Sequence, residues 1–294
     1  MFWTDSKPDI TDTGPFNYDN GIRLTVRRLD LMDPVWGGNK WFKLKYNLDR
    51  FKRDGYEELI TFGGAFSNHI AAVARTGKEL RFKTTGIIRG EPESKSNTTL
   101  SRAEHDGMKL VFVSREAYRQ KENPSFLQTL LPEKSNYMIL PEGGGNEEGV
   151  LGCSEIVNPE DFQFSHVVVA CGTGTTAAGI IKSLNSHQQL IGISVLHDGQ
   201  SIETTIHNYL LHFRPGKIPS NWRIMHEFHS GGYARTTPEL RAFCENFTFR
   251  TAIPVEPVYT GKVFYGIEKM IADGNFPLGA NILAIHTGGL QYLL

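Results

Sequence analysis

Cysteine is scarce in this chain of 294 residues: Cys153, Cys171 and Cys244 are all there is, without CxxC spacing. An odd count with no paired spacing argues against a disulfide framework or a zinc site, and makes a reducing cytoplasm the expected compartment. Apolar residues never run to the roughly 18 that cross a bilayer, so no membrane partner is expected. Charge of one sign is missing too. Lys and Arg number 31 against 32 Asp and Glu, a balance that leaves no electrostatic footprint for nucleic acid. The opening residues MFWTDSKPDI lack a basic stretch followed by an apolar one, so no signal peptide is read there. The 10 histidines show no metal-ligand spacing, and no metal is expected. There is no GxSxG elbow, no HExxH helix and no GK[ST] phosphate loop. Internal repeats and low-complexity stretches are lacking.

Hydrophobic residues make up 39%, enough for one large domain or two that share a cleft. Short apolar runs rich in β-branched residues alternate with longer amphipathic ones. Strands are expected over 24–27, 58–62, 85–89, 109–113, 137–140, 166–170, 190–196, 223–228 and 281–286. Helices are expected over 41–53 and 68–80, and a third begins after the cap Thr237, with Pro238 at its first position. Nearly unbroken apolar strands alternating with helices predict an α/β protein with parallel sheets covered on both faces. A composition shift at Pro141-Glu142-Gly143-Gly144-Gly145-Asn146 marks a crossing between two units.

Three glycine strings carry chemistry. Gly172-Thr173-Gly174-Thr175-Thr176 follows the run Val167-Val168-Val169-Ala170. A turn from strand to helix exposes amides without internal partners at the positive end of the helix dipole, which suits an anion. Its bland reading is an ordinary strand–helix turn. It is also a poor dinucleotide fingerprint, because the glycine after Gly174 comes at 179, which weakens a nicotinamide alternative. Gly37-Gly38-Asn39-Lys40 sets a lysine in a tight turn ahead of Trp41 and Phe42. A surface lysine is the usual reading, but desolvation by such neighbours favours the neutral amine that condenses with an aldehyde. Gly63-Gly64-Ala65-Phe66-Ser67-Asn68-His69 puts Ser67, Asn68 and His69 at a helix start, either as a simple cap or as a grip on a carboxylate. Together the strings suit an enzyme with a phosphorylated aldehyde cofactor.

These strings, with Lys43-Leu44, Pro257-Val258-Tyr259-Thr260-Gly261-Lys262 and His286-Thr287-Gly288-Gly289, occur in one order that resembles the pyridoxal-phosphate enzymes comprising 1-aminocyclopropane-1-carboxylate deaminase and D-cysteine desulfhydrase. The resemblance spans residues 37 to 289. It implies the tryptophan synthase β-like fold (fold type II): two three-layer α/β domains with pyridoxal 5'-phosphate in the cleft. The large domain would comprise 1–52 plus 147–294, and the small one 53–146. It further implies a small amino-acid substrate and a homodimer. By position, Lys40 resembles the Schiff-base lysine and Asn68 the residue at the cofactor's phenolic oxygen. Ser67 and His69 resemble the substrate-carboxylate turn, and Gly172-Thr173-Gly174-Thr175-Thr176 the phosphate cradle, with Lys43 as helper. Tyr259 and Tyr233 resemble the two active-site tyrosines, and Thr260 the partner of the pyridine nitrogen.

Departures from the family pattern are visible. Trp41 and Phe42 stand where a small polar residue and an arginine are usual, which predicts an altered substrate pocket. Asp30 stands between Leu29 and Leu31 where adjacent acids are usual. The segment ahead of the first expected strand is short, so a gating or oligomer contact is expected to be missing. At 260 the deaminase resembled here has glutamate; a threonine hydroxyl serves a neutral ring nitrogen, a weaker electron sink that suffices for β-elimination. His69 also matches the desulfhydrase. The expected reaction is therefore elimination from a small amino acid such as D-cysteine, with Lys40 as base and Tyr259 or Tyr233 assisting. Cyclopropane ring opening is the alternative, and a non-catalytic metabolite-binding protein on the same scaffold is a third reading.

Overall fold

The computed structural model describes residues 9–33, 37–91, 97–131, 136–197 and 199–290. The segment read for a signal peptide lies mostly outside them. Two sheets organise the chain. The larger has six strands: β1 (Asp12–Asn17), β2 (Arg23–Arg28), β7 (His166–Cys171), β8 (Gln189–Ser194), β9 (Trp222–Met225) and β10 (Asn281–His286), in the order β1-β2-β10-β7-β8-β9. The smaller has β3 (Glu58–Gly64), β4 (Lys83–Arg89), β5 (Lys109–Val113) and β6 (Tyr137–Leu140), in the order β5-β4-β3-β6. Every pairing is parallel except β1 with β2. The helices between strands are α1 (Asn39–Arg53), α2 (Asn68–Leu80), α3 (Thr98–His105), α4 (Arg115–Tyr118), α5 (Pro124–Leu130), α6 (Glu147–Cys153), α7 (Thr175–Ser183), α8 (Gln200–Phe213), α9 (Pro238–Thr251) and α10 (Thr260–Ala272). No helix among the described residues is long and apolar enough to cross a membrane.

The expected strands are present, and one more precedes them. Strand β1, DTGPFN, breaks the apolar alternation with Gly14 and Pro15, and it is mostly exposed. An edge strand tolerates a residue without an amide donor, and its register shifts between Thr13 and Phe16. Arg27 on β2 explains why it is held. Its guanidinium binds Asp12 of β1 at 2.8 Å and Asp161 at 2.6 Å. It also donates to the Ile156 carbonyl at 2.9 Å. The buried charge is thus matched on every side. Strand β9 stops at Met225, short of the expected 228.

Helix α1 sits between the two sheets. Trp41 and Phe42 lie in the core under the large sheet with Val150, Val167 and Leu283. Leu44, Leu48 and Phe51 lie in the core of the small sheet with Leu59 and Ile70. Each such side chain contributes about 1.5–3 kcal/mol on burial. Gly152 lets α6 cross α1 closely: a Cβ there would fall 1.8 Å from the Phe42 carbonyl oxygen. The first turn of α1 is thereby fixed against both units.

Candidate active site

A cavity of about 330 Å³ opens between the sheets and is lined by residues from both. Lys40 enters it from the first turn of α1. The turn depends on Gly38, which caps the helix at φ +64° and whose absent side chain would fall 2.2 Å from the Thr287 carbonyl oxygen. That carbonyl accepts the Asn39 amide at 3.2 Å, and Leu29 accepts the Gly38 amide at 3.0 Å. Beneath the turn, buried Asp30 takes two bonds from Arg28, at 2.8 and 2.6 Å, and lies 3.1 Å from the fully buried His286. A single acid between two leucines is therefore a strut under the lysine turn rather than a surface charge.

Lys40 donates to Asn39 Oδ1 at 2.9 Å, and Asn39 Nδ2 donates to Thr176 Oγ1 at 3.0 Å, which ties the lysine to α7. Neither Lys40 nor Lys43 has a carboxylate partner among the described residues. Burial, helped by the Lys43 ammonium, lowers the Lys40 pKa from 10.5 to about 7. Burial also lowers that of Lys43, whose Nζ donates to the Gly143 carbonyl at 2.8 Å. A neutral amine is the nucleophile, so capture of an aldehyde by the cofactor-free apoprotein is expected to accelerate as pH rises through about 7 and then level. An ordinary lysine would keep accelerating towards 10.5. Stopped-flow absorbance across pH distinguishes the two curves.

Strand β7 is buried along its whole length and delivers Gly172 and Thr173 to the cavity. Gly174 caps α7 at φ +78°. The first helical amide with an internal acceptor is that of Ala178, bonded to Gly174 at 2.9 Å, so the amides of the preceding turn are open, as an anion requires. Thr176 and Ala177 line the cavity with Gly172, Thr173 and Gly174. Thr175 does not: it is fully buried, with its hydroxyl 3.0 Å from that of Thr173. A side chain at 174 would strike Ile206 of α8 at 3.0 Å. The glycine therefore answers to its left-handed backbone and to α8 as well as to a ligand.

On the opposite wall, Ser67 caps α2, accepting the Ile70 amide at 3.3 Å, and still lines the cavity with its own proton unspent on that bond. Cap and ligand grip are compatible here. Asn68 packs on Gly289, where a Cβ would fall 2.3 Å from its Nδ2. His69 is buried, borders the cavity, and bonds Thr61 Oγ1 at 2.9 Å through Nε2. Tyr233 and Tyr259 face each other edge to face with centroids 5.9 Å apart. Burial raises both phenol pKa values, that of Tyr259 well above 10. Both phenols are therefore protonated at neutral pH.

Two expectations are corrected. Trp41 and Phe42 do not line the cavity; they are core residues of α1 and form no part of its wall. Thr260 does not line it either. Its hydroxyl lies 3.1 Å from Glu256 Oε1 and accepts the Glu256 amide at 3.1 Å, so its one proton is directed at Glu256 rather than at a ring nitrogen. Glu256 went unremarked in the sequence. It caps the start of α10 through the amides of Val258, Tyr259 and Thr260, and burial raises its pKa to about 7. Arg89 lines the cavity unforeseen, since nothing local in its strand marks it; Glu142 and Thr287 line it too, from the string read as a crossing between units and from the His286-Thr287-Gly288-Gly289 motif.

A near-neutral amine, an open glycine–threonine cradle and a second buried lysine fit a phosphorylated aldehyde, and the protein is a pyridoxal-phosphate dependent enzyme. The family of that description is matched over residues 11–288, and the chain belongs to it. Among individual relatives, it is 29% identical to the bifunctional D-cysteine desulfhydrase/1-aminocyclopropane-1-carboxylate deaminase, mitochondrial, of Arabidopsis thaliana, over 92% of this chain and 73% of that one. It is 26% identical to a D-cysteine desulfhydrase of Klebsiella pneumoniae, over 93% of this chain and 88% of the relative. The crystal structure of an ACC deaminase homologue superposes with a TM-score of 0.80 at 26% identity, covering 92% of this chain and 86% of that one.

Proposed function

We propose that this enzyme deaminates a small β-substituted amino acid by α,β-elimination, giving a keto acid, ammonia and the departing thiol or sulfide, as a D-cysteine desulfhydrase does. The observation that carries this reading is the Lys40 amine, held near neutrality by burial in a cavity that also presents the Ser67 turn and two protonated phenols. Pyridoxal phosphate, when bound, supplies the electron sink that makes the hydrogen next to the amino group acidic. The chain's own groups do the rest. Gly172, Thr173, Gly174, Thr176 and Lys43 would hold the phosphate, and Asn68 the ring oxygen. Ser67, with the amide end of α2, orients the carboxylate. Lys40 takes the α-proton, and Tyr233 or Tyr259 returns a proton to carbon.

Cyclopropane ring opening is the second reading, supported by a relative that carries both activities in its name and by a solved structure described as an ACC deaminase homologue. The hydroxyl of Thr260 is directed at Glu256 and does not decide between the two readings. Keto-acid release from a panel of D- and L-cysteine, β-chloroalanine and 1-aminocyclopropane-1-carboxylate tests the choice. Turnover confined to the β-substituted compounds is expected; turnover of the cyclopropane alone would replace elimination with ring opening.

We further propose that 1–52 with 147–294, and 53–146, are the two domains. The six- and four-stranded sheets draw their strands from these segments. A cytoplasmic location is supported by three free, buried cysteines, and a homodimer by the family resemblance.

A further inference from the structure

His69 leaves one polar atom without a partner. Its Nδ1 is buried and makes no hydrogen bond among the described residues, although the ring borders the cavity. The other side of the ring says what that atom can do. Thr61, in the middle of β3, lies 2.8 Å from the Leu140 carbonyl oxygen. A carbonyl only accepts, so the single hydroxyl proton of Thr61 is spent on it. Towards His69 Nε2, 2.9 Å away, the same oxygen can only accept. Nε2 therefore carries the ring proton. Burial, with the nearby Lys40 and Lys43, holds the ring neutral, so Nδ1 is a bare lone pair. A buried acceptor left unmet costs about 1–3 kcal/mol, an outlay that a bound donor removes.

That polarity restricts what can meet it. The following assignment rests on the elimination reading above. A small β-substituted amino acid has three polar groups. Its nitrogen is committed where Lys40 stands. Its carboxylate is an acceptor and would repel the lone pair. The group left with a proton to give is the β-substituent. We propose that Thr61 is a positioning residue that holds His69 with Nδ1 bare, and that Nδ1 selects amino acids whose β-substituent is a hydrogen-bond donor, a thiol or hydroxyl, over those whose substituent has none. The carboxylate then falls to Ser67 and the start of α2 without His69, contrary to the expectation from the sequence. The 1-aminocyclopropane-1-carboxylate ring, having no such donor, gains nothing at this position.

The holoenzyme tests this in wild type, Thr61→Val and Thr61→Ser. The ratio of kcat/KM for cysteine over S-methylcysteine is taken in each, so that intrinsic leaving-group reactivity cancels between variants. The ratio is expected to fall about fivefold in Thr61→Val, the scale of one neutral hydrogen bond, and to return in Thr61→Ser. Nitrogen NMR of the His69 ring reads the tautomer without reference to activity, with the proton expected on Nε2 in wild type and Thr61→Ser. A ratio that Thr61→Val leaves unchanged, or a ring protonated on Nδ1, overturns the assignment. Failure of the wild type to eliminate from any β-substituted amino acid would sink the functional reading instead, and the ring spectrum would still judge the role of Thr61.

Discussion

Lys40→Ala is expected to abolish both borohydride-trappable attachment of pyridoxal phosphate and amino-acid turnover. Loss of the base alone costs about 10²–10⁴-fold, and loss of the attachment point compounds it. The geometry gives no ready substitute. Lys43 is one helical turn on, with its ammonium engaged by the Gly143 carbonyl at 2.8 Å. Lys262, the other buried lysine bonded to a backbone oxygen, holds Gly232 at 2.8 Å. Lys40→Arg should fail equally, since it keeps the charge but has no neutral amine. Peptide mapping after reduction is the check: label recovered at Lys43 in a variant with undiminished turnover would refute the assignment.

Gly38→Ala is expected to cost about 2–4 kcal/mol of stability, from overpacking and a disfavoured backbone. The added Cβ would fall 2.2 Å from the Thr287 oxygen and 3.1 Å from the Gly288 Cα, neither of which can swing away as a side-chain end could. Gly279→Ala is the control. Its φ of +72° is similar, but a Cβ there meets nothing within 4 Å. Only the backbone term, about 1 kcal/mol, should appear. Urea midpoints of the two variants separate steric from conformational cost. Equal shifts would mean that the Thr287 turn yields, and that the lysine turn is less tightly built than its distances imply.

Local pattern made most of the fold legible. The strands 109–113, 137–140 and 281–286 and the helix 68–80 were visible because apolar period and caps lie within a few residues of each other. Strand β1 was not, because its reason for existing is its antiparallel pairing with β2 and the ion pair of Asp12 with Arg27, not its own composition. The same division runs through the site. Lys40 and the Gly172 string announce themselves by neighbouring glycines. Thr61 looks like any β-branched strand residue until His69 and Leu140, 8 and 79 positions away, are placed beside it. Thr260 shows the reverse: its motif was conspicuous, but whether a hydroxyl faces a ligand or the carboxylate of Glu256 is a matter of rotamer and packing that no string of letters specifies.

Helix α1 belongs to both hydrophobic cores, and the low basicity of Lys40 comes from being enclosed between them. A chain with only one half assembled would present residue 40 to water, with an amine near its ordinary value of 10.5 and almost wholly protonated at pH 7. Reactivity towards an aldehyde at neutral pH is thus a property of the docked pair of halves. The rate of adduct formation in a refolding mixture would count finished molecules, whereas helix content or tryptophan burial would already register the parts.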